Sequence, residues 1–315
     1  MDGQTVSLRK FRFQVSSCVS TFAMACVMVF AMTLLTTHAI EAQTFSVLHN
    51  FSGGGDGANP YAGITVGPSG VLYGTALRGG NYNGGTVFKL SQVNSSWVLS
   101  PLYEFTGGSD GDTPQGGVVI GPNGALYGTT FYGGGVNYGV AFELRPPATV
   151  CKAILCYWGE TVLHTFTGTP DGQYPASVNL AFDQVGNIYG TTYRGGSYGY
   201  NGGTTFELTP SGGGYTESIL HNFGSGTDGY WPYAGVVLDT AGNVYGTTVY
   251  GGTGAECGGN CGTVYQLMPS NGGWQENILV SFDYTDGNYP FSNLIIDAFG
   301  NLYGTTSGGG QMELA

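Results

Sequence analysis

The hydrophobic pattern of this 315-residue chain has two regimes. Val19 to Leu35 form one continuous apolar run, VSTFAMACVMVFAMTLL. From residue 44 onward, apolar and polar positions alternate in stretches of six to eight residues, separated by Gly, Pro, Asp and Asn. Alternation with period two predicts half-buried antiparallel β-strands, and the punctuating residues predict turns.

The alternating region repeats. Tyr-Gly-Thr begins at Tyr73, Tyr127, Tyr189, Tyr245 and Tyr303, at spacings of 54, 62, 56 and 58 residues. An Asp-Gly pair with a following proline recurs in step, at Asp56–Pro60, Asp110–Pro114, Asp171–Pro175, Asp228–Pro232 and Asp286–Pro290. A third element, GTVFKL at 85–90, returns as GVAFEL at 139–144, GTTFEL at 203–208 and GTVYQL at 262–267. Each unit reads as four short strands, with AGVVLD (234–239), NVYGTTVY (243–250), GTVYQL (262–267) and ENILVSF (276–282) as the fourth copy. The glycine inside the second strand is expected to admit close approach of the neighbouring sheet. Four-stranded meanders at this period predict an all-β chain, a β-propeller of four-stranded antiparallel blades.

Five copies predict five blades. A lone fourth strand, TFSVLHNF (44–51), precedes the first copy, and the last copy ends in a short MEL (312–314). The N-terminal strand is expected to complete the last blade and close the ring, removing exposed sheet edges. A truncated array that once held more blades is the rival reading.

Composition agrees with this picture. Gly (58 residues) and Pro (13) are abundant, yet 41% of the chain is hydrophobic and only 9% charged. Glycine at this level excludes a mostly helical protein. It does not indicate disorder, because about half of the glycines hold repeated turn and strand posts.

Arg9, Lys10 and Arg12 precede the apolar run, and small residues at Thr37, Ala39 and Ala42 follow it. That order predicts a secretory signal peptide over residues 1–42, leaving 43–315 as a single domain outside the cytoplasm, secreted, periplasmic or at the cell surface. No later stretch is apolar enough to span a membrane. The mature part then holds 5 basic and 18 acidic residues, which disfavours nucleic acid and anionic lipid as partners. Its four cysteines fall in two close pairs, Cys151 with Cys156 and Cys257 with Cys261. Two local disulfides are expected in an oxidising compartment.

The repeated GNxYGTT…GG…GTVFxL…LxxF…DGxxP unit resembles the GloVer tandem repeat of exported bacterial proteins, over residues 44–310. Asp-x-x-Gly-Asn turns at 183–187, 239–243 and 297–301 also resemble those of NHL-type propellers. The resemblance implies an exported repeat protein, often with a C-terminal anchor; none is expected after the last repeat here. It brings no catalytic residues.

The residues themselves offer little chemistry. His49, His164 and His221 hold one equivalent post on fourth strands and are read as amphipathic filler, which excludes a Ser-His-Asp site. The five Asp-Gly pairs are read as turns, in which an Asx side chain bonds local backbone and Gly takes positive φ. No catalytic group, metal site or cofactor is expected. The loops after second strands and those between blades should emerge on one face. That face collects Arg78, Tyr132, Tyr174, Arg194, Trp231, Tyr233, Tyr250 and Tyr289. Flat rings beside arginine suit stacking on sugars, and equally a protein interface. The expected function is a non-enzymatic binding or surface-interaction module for a polysaccharide or another surface protein. The alternatives are a propeller-based carbohydrate-active lyase or hydrolase, and a purely structural repeat protein.

Overall fold

Each Tyr-Gly-Thr motif except the last lies in a five-residue strand that is mostly buried, and the reason for its glycine is cross-strand packing. In a computed structural model of the chain, a Cβ added to Gly190 would sit 2.6 Å from the ring of Phe206. Gly190 and Phe206 are register partners on adjacent strands of one sheet. The same pairing joins Gly74 to Phe88, Gly128 to Phe142 and Gly246 to Tyr265. The glycine therefore makes room chiefly for an aromatic ring of its own sheet, rather than for the neighbouring sheet.

The structure describes residues 45–148, 156–176, 179–224 and 227–310. The predicted leader (1–42), Cys151 and the MEL segment (312–314) lie outside the described residues. The chain divides into two compact units, Met1–Val47 and Leu48–Ala315. The second holds all the strands found among the described residues.

The first sheet comprises β1 (Thr65–Val66), β2 (Leu72–Ala76), β3 (Thr86–Val93) and β4 (Ser96–Glu104). The second comprises β5 (Val119–Ile120), β6 (Leu126–Thr130), β7 (Val140–Arg145) and β8 (Gly159–Thr165). A short strand, β9 (Gly172–Gln173), precedes the third sheet, whose first strands are β10 (Ala181–Phe182) and β11 (Ile188–Thr192). Next come β12 (Arg194–Gly195), which pairs with β9, and then β13 (Thr204–Ser211) and β14 (Gly214–Asn222) of the third sheet. The fourth has β15 (Val237–Leu238), β16 (Val244–Thr248), β17 (Thr263–Ser270) and β18 (Gly273–Ser281). The last repeat shows β19 (Ile295–Ile296) and β20 (Leu302–Tyr303). Every four-stranded sheet is an antiparallel meander in chain order. The chain is all-β, as expected. Among the described residues, 45–51 form no strand.

Successive sheets meet through paired rings. The phenylalanine that follows β4, β8 or β14 packs edge-on or tilted against the third-strand ring of the next sheet. Phe105 meets Phe142 at 5.1 Å, Phe166 meets Phe206 at 5.2 Å, and Phe223 meets Tyr265 at 4.8 Å. Phe51 meets Phe88 at 5.1 Å in the same manner. Phe88, Phe105, Phe142, Phe166, Phe206 and Phe223 are at most 1% exposed, so these rings form the core between sheets. The threonine of each of the first four motifs adds a buried polar tie, as when Thr191 donates to the Ala234 carbonyl at 2.7 Å.

A β-bulge recurs at one post in all four sheets. Val87 pairs with Tyr103 while Phe88 pairs with Pro101, leaving Leu102 extra. Leu163, Leu220 and Leu279 are extra in the same way. A bulge re-aims the side chains that follow it. Here the next residue is Tyr103, His164, His221 or Val280.

The disulfide Cys257–Cys261 is present, with Cα atoms 5.9 Å apart. Cys156 is also disulfide-bonded. No helix among the described residues is long and apolar enough to cross a membrane.

Candidate functional site

The residue before each repeat proline is held in the left-handed region. Asn59, Thr113, Tyr174, Trp231 and Tyr289 have φ of 55°, 61°, 59°, 59° and 52°. Such a conformation costs a non-glycine residue about 1–3 kcal/mol and persists only where neighbours impose it. Two backbone hydrogen bonds impose it here. The Trp231 N–H donates to Gly202 in the preceding repeat at 3.2 Å, and the Trp231 carbonyl accepts from Val249 at 3.1 Å. Tyr174 is pinned likewise by the Tyr138 carbonyl and the Tyr193 N–H, and Tyr289 by Cys261 and Ser307. Three of the five strained posts carry large aromatic rings.

The post across from this loop is Arg78, Tyr132, Arg194 or Tyr250. Each pairs with the residue after an Asp-Gly turn, in the bridges Ala58–Arg78, Asp112–Tyr132, Gln173–Arg194 and Tyr230–Tyr250. The two loop families do emerge together. For example, the Gly134 N–H donates to the Gly108 carbonyl at 2.9 Å.

These posts form a belt of rings in two contacting groups, one around Tyr174 and one around Trp231. Tyr132 lies 5.5 Å from Tyr174, which stacks on Phe131 at 4.9 Å. The Arg194 guanidinium lies 3.7 Å from the Tyr200 ring centroid, 4.8 Å from Tyr193 and 5.3 Å from Trp231. Trp231 donates its indole N–H to the Tyr200 carbonyl at 3.0 Å and meets Tyr250 at 5.1 Å. Tyr250 in turn meets Tyr289 at 5.0 Å. Tyr233 touches Tyr193 and Phe291, and its hydroxyl reaches Gln115 two repeats away at 3.4 Å. Arg78 sits apart from the rings, 3.8 Å from the Asp112 carboxylate. Sequence reasoning missed Phe131, Tyr193 and Tyr230. The first two directly follow Gly-Thr-Thr, the post whose N–H holds the strained carbonyl, so their place in the repeat could have found them.

The histidines are not filler. His49, His164 and His221 each approach the carboxylate of the following Asp-Gly turn, at 3.0, 3.2 and 3.2 Å. Tyr103 donates to Asp110 at the same post, at 3.1 Å. The aspartates also cap their own turns, as Asp171 does by accepting from the Thr167 N–H at 2.8 Å. From the next sheet come Glu160, Glu217 and Glu276. Burial pushes Glu160 up to about 7, with the Asp110 charge adding to it. Burial pushes Glu217 up to about 8 against the opposing pull of His164, and Glu276 to about 7 against that of His221. Burial would lower His164, but the Asp171 bond and the Glu217 charge outweigh it and raise it.

The profile of the Gloeobacter/Verrucomicrobia repeat matches residues 28–159 and again 157–314. No curated protein matches the chain. Among solved structures, a Thermus thermophilus protein described as a putative oxidoreductase (glucose dehydrogenase) aligns at 15% identity with a TM-score of 0.39. That alignment spans 83% of this chain and 95% of the other. A Bacteroides uniformis protein described as a putative 6-phosphogluconolactonase aligns at 12% identity with a TM-score of 0.40, spanning 78% of each chain.

Proposed function

Because the chain belongs to the Gloeobacter/Verrucomicrobia repeat family, we propose that it is an exported β-propeller whose repeats carry a non-enzymatic binding face for carbohydrate. The observation that carries this reading is the ring belt. Three aromatic side chains, Tyr174, Trp231 and Tyr289, occupy strained left-handed posts, and rings on rigid backbone can offer flat faces to a sugar at little entropic cost. Arg194 supplies hydrogen-bond donors beside those faces, and its Nε is buried without a partner. Backbone strain gathers at functional posts more often than elsewhere.

The carboxylates near the belt favour binding over hydrolysis. A glycosidase needs two carboxyl groups facing each other across a cleft. Asp112 accepts from Thr113 and faces Arg78, and Asp171 caps its own turn.

Ring closure belongs to the same proposal. Phe51 already holds the post on Phe88 that Phe105 holds on Phe142. On that reading the segment around Phe51 stands where the fourth strand of a closing sheet would. Export is compatible with the family and with the Cys257–Cys261 bridge.

Affinity electrophoresis against a polysaccharide panel tests the binding face. Wild type should be retarded by at least one polymer, and Trp231→Ala, folded by circular dichroism, should lose about tenfold in affinity. No retardation of wild type, or equal retardation of the variant, overturns the reading.

A further inference from the structure

The interface between the second and third sheets and that between the third and fourth repeat one cluster of potential metal ligands between neighbouring fourth strands. His164 on β8, Asp171 in the loop after it and Glu217 on β14 form the first. His221 on β14, Asp228 in the following loop and Glu276 on β18 form the second. In each cluster one ligand atom per residue lies within 4.8 Å of the others. The two copies agree closely in geometry. His Nε2 is 3.2 Å from the aspartate and 3.6 Å from the glutamate in both. We propose that these clusters are two equivalent sites for a divalent cation of the zinc class, each taking one imidazole nitrogen and two carboxylate oxygens.

Three observations carry the proposal. The first is spacing. Tetrahedral zinc with bonds of about 2.0 Å sets its ligand atoms about 3.3 Å apart, and the observed 3.2 and 3.6 Å separations bracket that value. The second is an unmet electrostatic need. Oε1 of Glu276 is buried without any hydrogen-bond partner and is the oxygen facing His221, whereas Glu217 faces His164 through Oε2 and leaves its buried Oε1 unpartnered. A buried carboxylate oxygen requires a proton or a cation. The third is that the imidazoles are held in place. Each follows the bulged leucine, and each ring is braced edge-on by the phenylalanine two residues on, at 4.8 Å for His164 and 4.6 Å for His221. Imidazole nitrogen selects zinc-like metals over calcium or magnesium, which prefer an all-oxygen shell.

The repeats supply internal controls. The post of Glu217 pairs with Leu208 on the third strand, and that of Glu276 pairs with Leu267. In the first sheet the same post is Leu99, so His49 and Asp56 have no glutamate there. In the second sheet Glu160 is present but the imidazole is replaced by Tyr103. Neither interface offers the full set. Each cluster draws on two strands and a loop of successive repeats, so no single loop carries the spacing of a metal motif.

Calorimetric titration of the chelator-treated full chain with zinc chloride tests this, with cobalt(II) absorption as the second readout. Two sites per chain and a visible tetrahedral cobalt band are expected. Glu217→Gln and Glu276→Gln should each reduce the stoichiometry to one while retaining the native circular dichroism. Tyr103→His, which should complete the set with Asp110 and Glu160, should raise it to three. Absence of saturable zinc uptake by wild type overturns the proposal. So does a stoichiometry unmoved by Glu217→Gln and Glu276→Gln together. An increase in stability of the glutamine variants with no zinc response in wild type would mark the cluster as a proton-sharing clasp instead. Polysaccharide binding is not part of this reading, and its failure leaves the zinc result standing.

Discussion

Tyr103 donates its hydroxyl to Asp110 at 3.1 Å, at the post where two later interfaces place a histidine against the equivalent aspartate. Glu160 faces this pair from the next sheet and is pushed up to about 7 by burial and the Asp110 charge. A carboxyl raised above its ordinary value binds its proton more tightly in the folded protein. Its contribution is complete below about pH 4.5 and is lost as pH rises through about 7. Glu217 and Glu276 act in the same direction. The metal-free protein should therefore be more stable at pH 5 than at pH 8. Glu160→Gln should remove about 1–2 kcal/mol of that difference, allowing for partial exposure. Urea unfolding at the two pH values measures it, and an unchanged difference in the variant rules Glu160 out as a source.

The glycine of the Tyr-Gly-Thr motif yields a second expectation. A Cβ on Gly190 would meet the Phe206 ring at 2.6 Å and Leu180 at 2.9 Å. Overpacking of this kind costs about 1–3 kcal/mol. A Cβ on Gly304, in the last repeat, would meet only the end of the Leu294 side chain, at 2.8 Å. Gly190→Ala should lower the urea midpoint clearly, whereas Gly304→Ala should stay within about 0.5 kcal/mol of wild type. Adding Phe206→Leu to Gly190→Ala should recover part of the loss, since contacting residues couple. Equal effects at both glycines would show that the third-strand ring is not the cause.

Period, turn chemistry and glycine posts are enough to read the strand order of each sheet, because these depend on local sequence. Asp183 illustrates this: its carboxylate accepts from the N–H groups of Val185, Gly186 and Asn187, as an Asx turn requires. The shared face of the two loop families is also readable, since meander topology dictates it. What stays hidden depends on partners from another repeat. His164 is unremarkable within its own strand, and only the fold brings Glu217, 53 residues later, to 3.6 Å. The bulges at Leu102, Leu163, Leu220 and Leu279 are hidden too, because an extra residue in a strand breaks the alternation that reveals strands.

The Cys257–Cys261 bridge should matter locally more than globally. Its sequence separation is 4, so loop-closure entropy caps its contribution at about 2 kcal/mol. Within the loop, Asn260 accepts from the Tyr230 hydroxyl at 2.8 Å, and Tyr230 stacks on Tyr250 at 5.4 Å. Cys257→Ala with Cys261→Ala should lower thermal stability only slightly while loosening Tyr230, read as faster hydrogen exchange in the 250–262 loop. A large global loss with unchanged loop exchange would reverse this ordering.

Arg194 is the cation at the centre of the ring belt, lying over Tyr200, Tyr193 and Trp231. Its planar guanidinium can stack on Tyr200 while donating to that residue's hydroxyl, which it does at 2.9 Å. A lysine retains the charge but cannot stack, so the exchange is not conservative here. Arg194→Lys should cost about 0.5–1 kcal/mol of polysaccharide affinity, and Arg194→Ala about 1–2 kcal/mol. Both should red-shift the Trp231 emission, isolated by subtracting the spectrum of Trp231→Phe. If Arg194→Lys keeps native emission and affinity, positive charge alone suffices at this post. If both variants bind as wild type does, the belt recognises its ligand without Arg194, through its rings.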